Sequence, residues 1–124
     1  MDKLSDKRCI PCEGGVLPLT SEVNNMLKEI PGWRVRKVDS EQIYRNFQFE
    51  SYYQVIAFVN AVAWIAHCEN HHPYLEVGYN NCIVQYWTHA INGLSENDFI
   101  CAKKVNDLFF RMISADNELS CEIK

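Results

Sequence analysis

Nowhere in the 124 residues does an uninterrupted apolar run approach the roughly 18 residues of a membrane-spanning helix. The opening Met1-Asp2-Lys3-Leu4-Ser5-Asp6-Lys7-Arg8 also lacks the apolar stretch of a secretory leader. These absences predict a cytoplasmic protein with no membrane partner. Positive charge is scarce as well: twelve Lys and Arg stand against sixteen Asp and Glu, a net charge of -4, and the cations are scattered. Direct nucleic-acid binding is thereby excluded, because it requires clustered basic side chains. There is a single CxxC, Cys9-Ile10-Pro11-Cys12, with no second such pair and no H-x3–5-H at finger spacing after it, which excludes a zinc ribbon. The Pro and Gly around it are unlike a thioredoxin helix start, and the six cysteines are read mostly as reduced, small apolar fillers. Internal repeats and low-complexity segments are absent.

What the chain does have is enough apolar residues, 48% of the whole, to bury the core of one domain. Residues 1–19 carry Pro11, Gly14, Gly15 and Pro18 without sustained periodicity and read as an extended arm; residues 20–113 are the domain, and 114–124 a polar tail that frays. Thr20 caps a helix with the stripe Val23, Met26, Leu27 and Ile30, which Pro31-Gly32 ends. Trp33 to Val38 and Gln42 to Phe49 form a strand pair about an Asp39-Ser40-Glu41 turn, with Ile43, Phe47 and Phe49 alternating. A second helix, from about Ser51 to Cys68, has Val55, Ile56, Val59, Val62, Ala63 and Ala66 on one face and Phe58, Ala61 and Ile65 on another. A helix this apolar must be covered on both sides, by its own sheet and by something else, for which a second subunit is one candidate. Leu75, Val77 and Tyr79 alternate in a third strand, Asn80-Asn81 reads as a two-residue loop of positive φ, and Cys82 to Thr88 returns. Ser95-Glu96-Asn97-Asp98 opens a third helix as a capping-box variant, with Cys101, Ala102, Val105, Leu108, Phe109 and Met112 inward. The order α-β-β-α-β-β-α predicts an α+β fold, a four-stranded antiparallel sheet with three helices packed on one face.

All four histidines, His67, His71, His72 and His89, fall within one short span, and imidazole is the side chain best suited to proton transfer near neutral pH. Pro73 stops the second helix, leaving His71 and His72 at a helix-to-strand junction. A tight hairpin brings its outer ends together, so His89 should return beside them. A lone histidine is more often a helix cap or a half-buried, hydrogen-bonded ring; four together favour chemistry. His67 and His71 have the spacing of a two-histidine zinc site with His89 as a third ligand, but Cys68 stands where HExxH carries its glutamate, and no metal is assigned. Asp98, third in its helix, is taken singly a cap. Trp33, Trp64 and Trp87 read first as core or interface residues, and second as platforms for a flat heterocycle.

His71-His72-Pro73 with His67 four positions before the pair, Tyr79-Asn80, Thr88-His89, Gly93-Leu94-Ser95-Glu96-x-Asp98 and the Gly32-Trp33 step together resemble the pterin-4a-carbinolamine dehydratases over about residues 20 to 112. The resemblance implies the same α+β fold, a homodimer or homotetramer, and dehydration of a 4a-hydroxytetrahydropterin to the quinonoid dihydropterin without metal or redox cofactor. It implies a functional link to an aromatic amino acid hydroxylase, whose product this substrate is. His71 and His89 would be the acid/base pair, His72 would bind and orient the pterin, and Asp98 would orient an imidazole. His67, Pro73, Thr88 and Trp33 complete the candidate substrate-binding set. Many relatives have Glu where His67 stands, so a permanent negative charge is missing here. Animal relatives also serve as dimerisation cofactors of a homeodomain transcription factor, and microbial ones act on other pterins, including those of molybdenum-cofactor metabolism. A non-catalytic binding module is therefore the alternative.

Overall fold

The computed structural model describes residues 4–10 and 22–119; expectations for Cys12, Gly14, Gly15, Pro18, Thr20 and Cys121 concern residues outside these. Along the chain come α1 (Val23–Leu27), β1 (Arg34–Lys37), β2 (Glu41–Gln48), α2 (Tyr52–Glu69), β3 (Tyr74–Val77), β4 (Asn81–Tyr86) and α3 (Glu96–Leu119). The strands form one sheet in the order β1-β2-β4-β3, with every neighbour antiparallel. The expected element order and fold class are both present.

Register explains where the core lies. Ile43 pairs with Tyr86, Phe47 with Cys82 and Leu75 with Val84, which places these side chains on one face because strand side chains alternate. Ile43, Phe47, Cys82, Val84 and Tyr86 are fully buried there, with Val55, Phe58 and Val62 of α2 and Cys101, Ala102 and Val105 of α3. Phe47 is central: its ring centroid lies 4.9 Å from both Phe58 and Phe109 and 6.0 Å from Trp33. The buried stripe of α2 runs through Val55, Phe58 and Val62, combining the two faces read from sequence, while Trp64 stays 66% exposed. Ser51 starts this helix through a capping box with Gln54.

The first helix stops at Leu27, ahead of the Pro31-Gly32 step expected to end it, although Ile30 is still buried, and Gly32 has a concrete reason to be glycine. Its φ is 91°, and an added Cβ would lie 2.7 Å from Arg45 Nε. Arg45 Nη1 donates to Pro31 O (3.1 Å) and to Asn106 Oδ1 (2.8 Å), and the same Oδ1 accepts the indole N–H of buried Trp33 at 2.7 Å. Asn106 Nδ2 closes the node by donating to Pro31 O at 3.0 Å. Burial pulls the Arg45 guanidinium below its ordinary pKa. Asn106→Leu should therefore cost about 2–3 kcal/mol, because it strands a buried indole N–H and half the partners of a partly buried guanidinium. Denaturant melts check this, and a loss under about 0.5 kcal/mol, the scale of an ordinary surface substitution, would contradict it.

Two further local expectations change. Val77 pairs with Cys82 and Gly78 N–H donates to Asn81 O at 2.8 Å, so Tyr79-Asn80 occupy the hairpin turn and Asn81 already belongs to β4. Positive φ falls instead on Asn70 (51°) and Asn92 (50°). An Asn pair signals a turn without fixing its centre; here Gly78 helps, since a Cβ there would collide with Asn81 Oδ1. Second, α3 continues through Ser114 to Leu119, where polar composition suggested fraying. The described part of the N-terminal arm is docked, with a 3-10 turn at Leu4–Asp6 and Leu4 only 3% exposed.

Three buried acids among the core groups set a pH limit on this fold. Burial pushes the Cys82 thiol up from 9.0 to about 11, and Cys101 and Tyr86 are also raised. The folded state holds these protons longer than the unfolded chain, so the stabilisation is complete below the unfolded values and is lost as pH rises through the folded ones. The melting midpoint should thus fall above about pH 9 and keep falling toward pH 11; a flat profile across that window would contradict the assignment.

Candidate active site

Two chain reversals build the site. At the end of α2, Asn70 adopts a left-handed conformation (φ 51°, ψ 41°) and its N–H donates back to His67 O, so the helix stops and His71 leaves the helical face. His67 remains outside on α2, exposed, with its ring centroid 5.1 Å from that of Trp64. The four-residue spacing of His67 and His71 therefore does not make them neighbours on one face. Pro73 then directs the chain into β3. Opposite, Thr88 bridges to Gly93 (N–H to O, 2.8 Å), and the residues between them form a 3-10 turn, His89–Ile91, closed by left-handed Asn92. That small loop presents His89.

Asp98 lies beneath, fully buried. Its Oδ1 accepts from His71 Nε2 at 2.7 Å, and its Oδ2 accepts from Thr88 Oγ1 and from Ser95 N–H, both at 2.9 Å. A carboxylate only accepts, so Nε2 carries the proton of the His71 ring and a neutral ring has its lone pair on Nδ1. The Thr88 proton is committed to Asp98, so at 2.7 Å Ser95 Oγ donates to Thr88. The capping box is thereby half made: Asp98 caps Ser95 N–H, while the Ser95 hydroxyl serves the site. The His71 ring stacks on Tyr86 (5.7 Å, 7°) and His72 on His89 (5.7 Å, 24°), while His89 lies tilted against Trp87 (4.5 Å, 40°).

His71, His72, Thr88 and His89 line one cleft of about 490 Å³, inside the range of small-molecule pockets. The return of His89 to the histidine pair is as the hairpin argument required. Trp33 lies in the core, 5% exposed, and neither it nor His67 nor Pro73 lines this cleft. Sequence reasoning missed the wall supplied by Cys9, Ile10, Glu69 and Asn97. Glu69 Oε1 accepts Cys9 N–H at 2.8 Å and Oε2 pairs with Arg8 Nε at 2.8 Å, while Asn97 binds both backbone groups of Ile10. The only available signal was an acid and an amide inside the histidine and capping motifs. Among the described residues no group of three His, Cys, Asp or Glu could hold a metal ion, and no helix is long and apolar enough to cross a membrane.

Fold and site thus define a small α+β domain with an imidazole-lined cleft, one ring of which is backed by a buried carboxylate. Residues 18–108 match the family model described as pterin 4 alpha carbinolamine dehydratase. A relative from Nitrosomonas eutropha, provisionally named pterin-4-alpha-carbinolamine dehydratase, is 57% identical over 107 residues, 85% of this chain and 92% of the relative. One from Nitrosospira multiformis, named in the same provisional way, is 52% identical over 88% of this chain and 95% of its own. A crystal structure described as a transcriptional coactivator/pterin dehydratase from Brucella melitensis matches with a TM-score of 0.67 and 35% identity over 73% of this chain and 97% of that one. The chain belongs to the pterin-4a-carbinolamine dehydratase family.

Proposed function

We propose that this protein dehydrates a 4a-hydroxytetrahydropterin to the quinonoid dihydropterin and water, supporting tetrahydropterin recycling after aromatic amino acid hydroxylation. The observation that carries the reading is the Asp98-backed His71 opening, with His72 and His89, onto one cleft. The names of the relatives supply the substrate class.

The chemistry asks little of the protein. An acid protonates the 4a-hydroxyl, the C–O bond breaks to release water, and the lone pair of the adjacent ring nitrogen forms the new C=N bond as a base removes a proton from the ring system. Imidazoles do both near neutral pH. His71 and His89 act as the acid/base pair, reaching the one cleft from separate elements. His72, exposed beside His89, binds and orients the pterin. Thr88 and Ser95 hold Asp98, Asp98 orients His71, and Pro73 fixes the chain's exit from α2. His67 and Trp33 take no part in this scheme. Stopped-flow decay of the carbinolamine with wild type, His71→Ala and His89→Ala tests it: slow decay in both variants supports the roles, and three equal rates overturn them.

The same reading includes self-association as a homodimer or homotetramer. Its support is the apolar surface left on α2, where Tyr53 is 85% and Trp64 66% exposed. Light scattering should give a multiple of 14.4 kDa, and a monomer at micromolar concentration would remove this part. The Brucella neighbour's description as a transcriptional coactivator favours a second reading, a coactivator role. Under it, partner binding would survive His71→Ala unchanged.

A further inference from the structure

We propose that Cys9 and Cys101 are a redox-responsive dithiol that closes to a disulfide, tying the N-terminal arm to α3 at the wall of the cleft. The sulfurs lie 3.5 Å apart, in contact, although 92 residues separate them in sequence. A disulfide bond is about 2.05 Å long, so closure needs roughly 1.5 Å of movement, within reach of side-chain rotation and a small shift of the arm.

The approach of Cys9 is not that of a loose strand passing by. Arg8 pairs with Glu69 at 2.8 Å and donates to Cys68 O at 3.0 Å. Cys9 N–H is bound by Glu69 at 2.8 Å, and Ile10 N–H by Asn97 Oδ1 at 3.0 Å. Lys7 pairs with Glu96 at 2.7 Å, and Leu4 is buried against the body. Anchors on both sides thus hold one thiol over the other, which sits fully buried in the first turns of a long helix. None of the histidine chemistry uses either sulfur.

Access orders the two steps. Cys9 is half-buried and lines the cleft, so a small oxidant meets it first; Cys101 is sealed beneath. With a low-molecular-weight disulfide as oxidant, the Cys9 thiolate attacks one sulfur, the S–S bond of the oxidant breaks, and one thiolate leaves and takes up a proton. Cys101 then loses its proton and attacks Cys9 Sγ, expelling the second small thiol. Two protein thiols become one disulfide, and one small disulfide becomes two thiols. Cys101 holds its proton tightly, through the hydrogen bond with Cys9, burial and the nearby Glu69 and Asp98 carboxylates. The second step is therefore the slow one, and the Cys9 adduct precedes the bridge.

The pair stands on this geometry whatever the cleft binds; that the bridge then fixes a wall of a pterin site rests on the functional reading above. Reduced full-length protein is incubated with glutathione disulfide, quenched by alkylation and mapped by mass spectrometry without reductant. Two of the six thiols should disappear with loss of two hydrogens, in a linked peptide pair containing Cys9 and Cys101. C101S should stop at a stable glutathione adduct on Cys9, and C9S should form neither adduct at that position nor bridge. The oxidised wild type should melt higher than the reduced, an increase that dithiothreitol reverses and C9S lacks. A Cys9–Cys12 bridge, modification confined to Cys68, or an unchanged thiol count would overturn the proposal. Wild-type mapping decides even if C101S fails to fold, and since no step reads turnover, an inactive protein leaves the result intact.

Discussion

Alanine at His89 should slow carbinolamine decay by 10²–10⁴-fold, the usual worth of a positioned general acid or base, while leaving the melting curve almost unmoved. His89 is exposed on a short 3-10 turn, and what it touches are the rings of His72 and Trp87. Its removal therefore takes away a proton carrier and little packing. His71→Ala should show a comparable loss of turnover with a different stability signature. It removes one of the three donors to buried Asp98 and the ring stacked on Tyr86, at a cost of about 1–3 kcal/mol. His72→Ala should mainly raise KM, since loss of uniform binding leaves kcat in place. Stopped-flow rates beside circular dichroism separate these cases. Should His89→Ala turn over as fast as wild type, the acid/base pair is misassigned.

Asp98 carries the second large effect, because fold and site meet at its carboxylate. Asp98→Ala leaves the Thr88 hydroxyl, the Ser95 N–H and the His71 N–H without their acceptor in a fully buried place. Loss of such a buried, hydrogen-bonded charge costs on the order of 3–5 kcal/mol. The helix start of α3 weakens with it. Asp98→Asn isolates the positioning role: it keeps the size, but its amide has one acceptor oxygen for donors that now reach both. Either His71 or the Thr88/Ser95 pair must face an NH₂. We expect a fall in kcat with KM held, together with a change in the His71 tautomer seen in imidazole ¹⁵N shifts, which a purely structural residue would not produce. Wild-type stability in Asp98→Ala would refute the shared role.

How much of this could be read from the chain differs from residue to residue. The meeting of His89 with His72 was legible because hairpin closure is a local rule: once Tyr74 pairs with Gln85, the residues just outside that pair must be neighbours. Asp98 was legible as a helix cap from its place in the helix, and its second task came only from resemblance. Trp33 was ambiguous, since an indole that stacks on a ligand and one that bonds a buried amide such as Asn106 have the same local sequence. Glu69 and Asn97 were not legible as arm-binding residues at all. Their partners lie 60 and 87 residues away, in a segment without periodicity, and no pattern within a window of one helix or hairpin encodes that docking. The hairpin centre slipped by one residue because the closing bond runs from Gly78 N–H to Asn81 O, a pairing that two adjacent asparagines do not specify.

The walls of the cleft are drawn from residues 9–10, 68–72, 88–90 and 97, segments far apart along the chain. A polypeptide still leaving the ribosome can complete α2 and the first hairpin, yet it has no cavity until the turn at His89 and the start of α3 have emerged and the amino-terminal segment has swung back onto them. Ligand binding should thus appear late and all at once during synthesis, and a chain truncated before residue 96 should bind nothing however well its sheet forms.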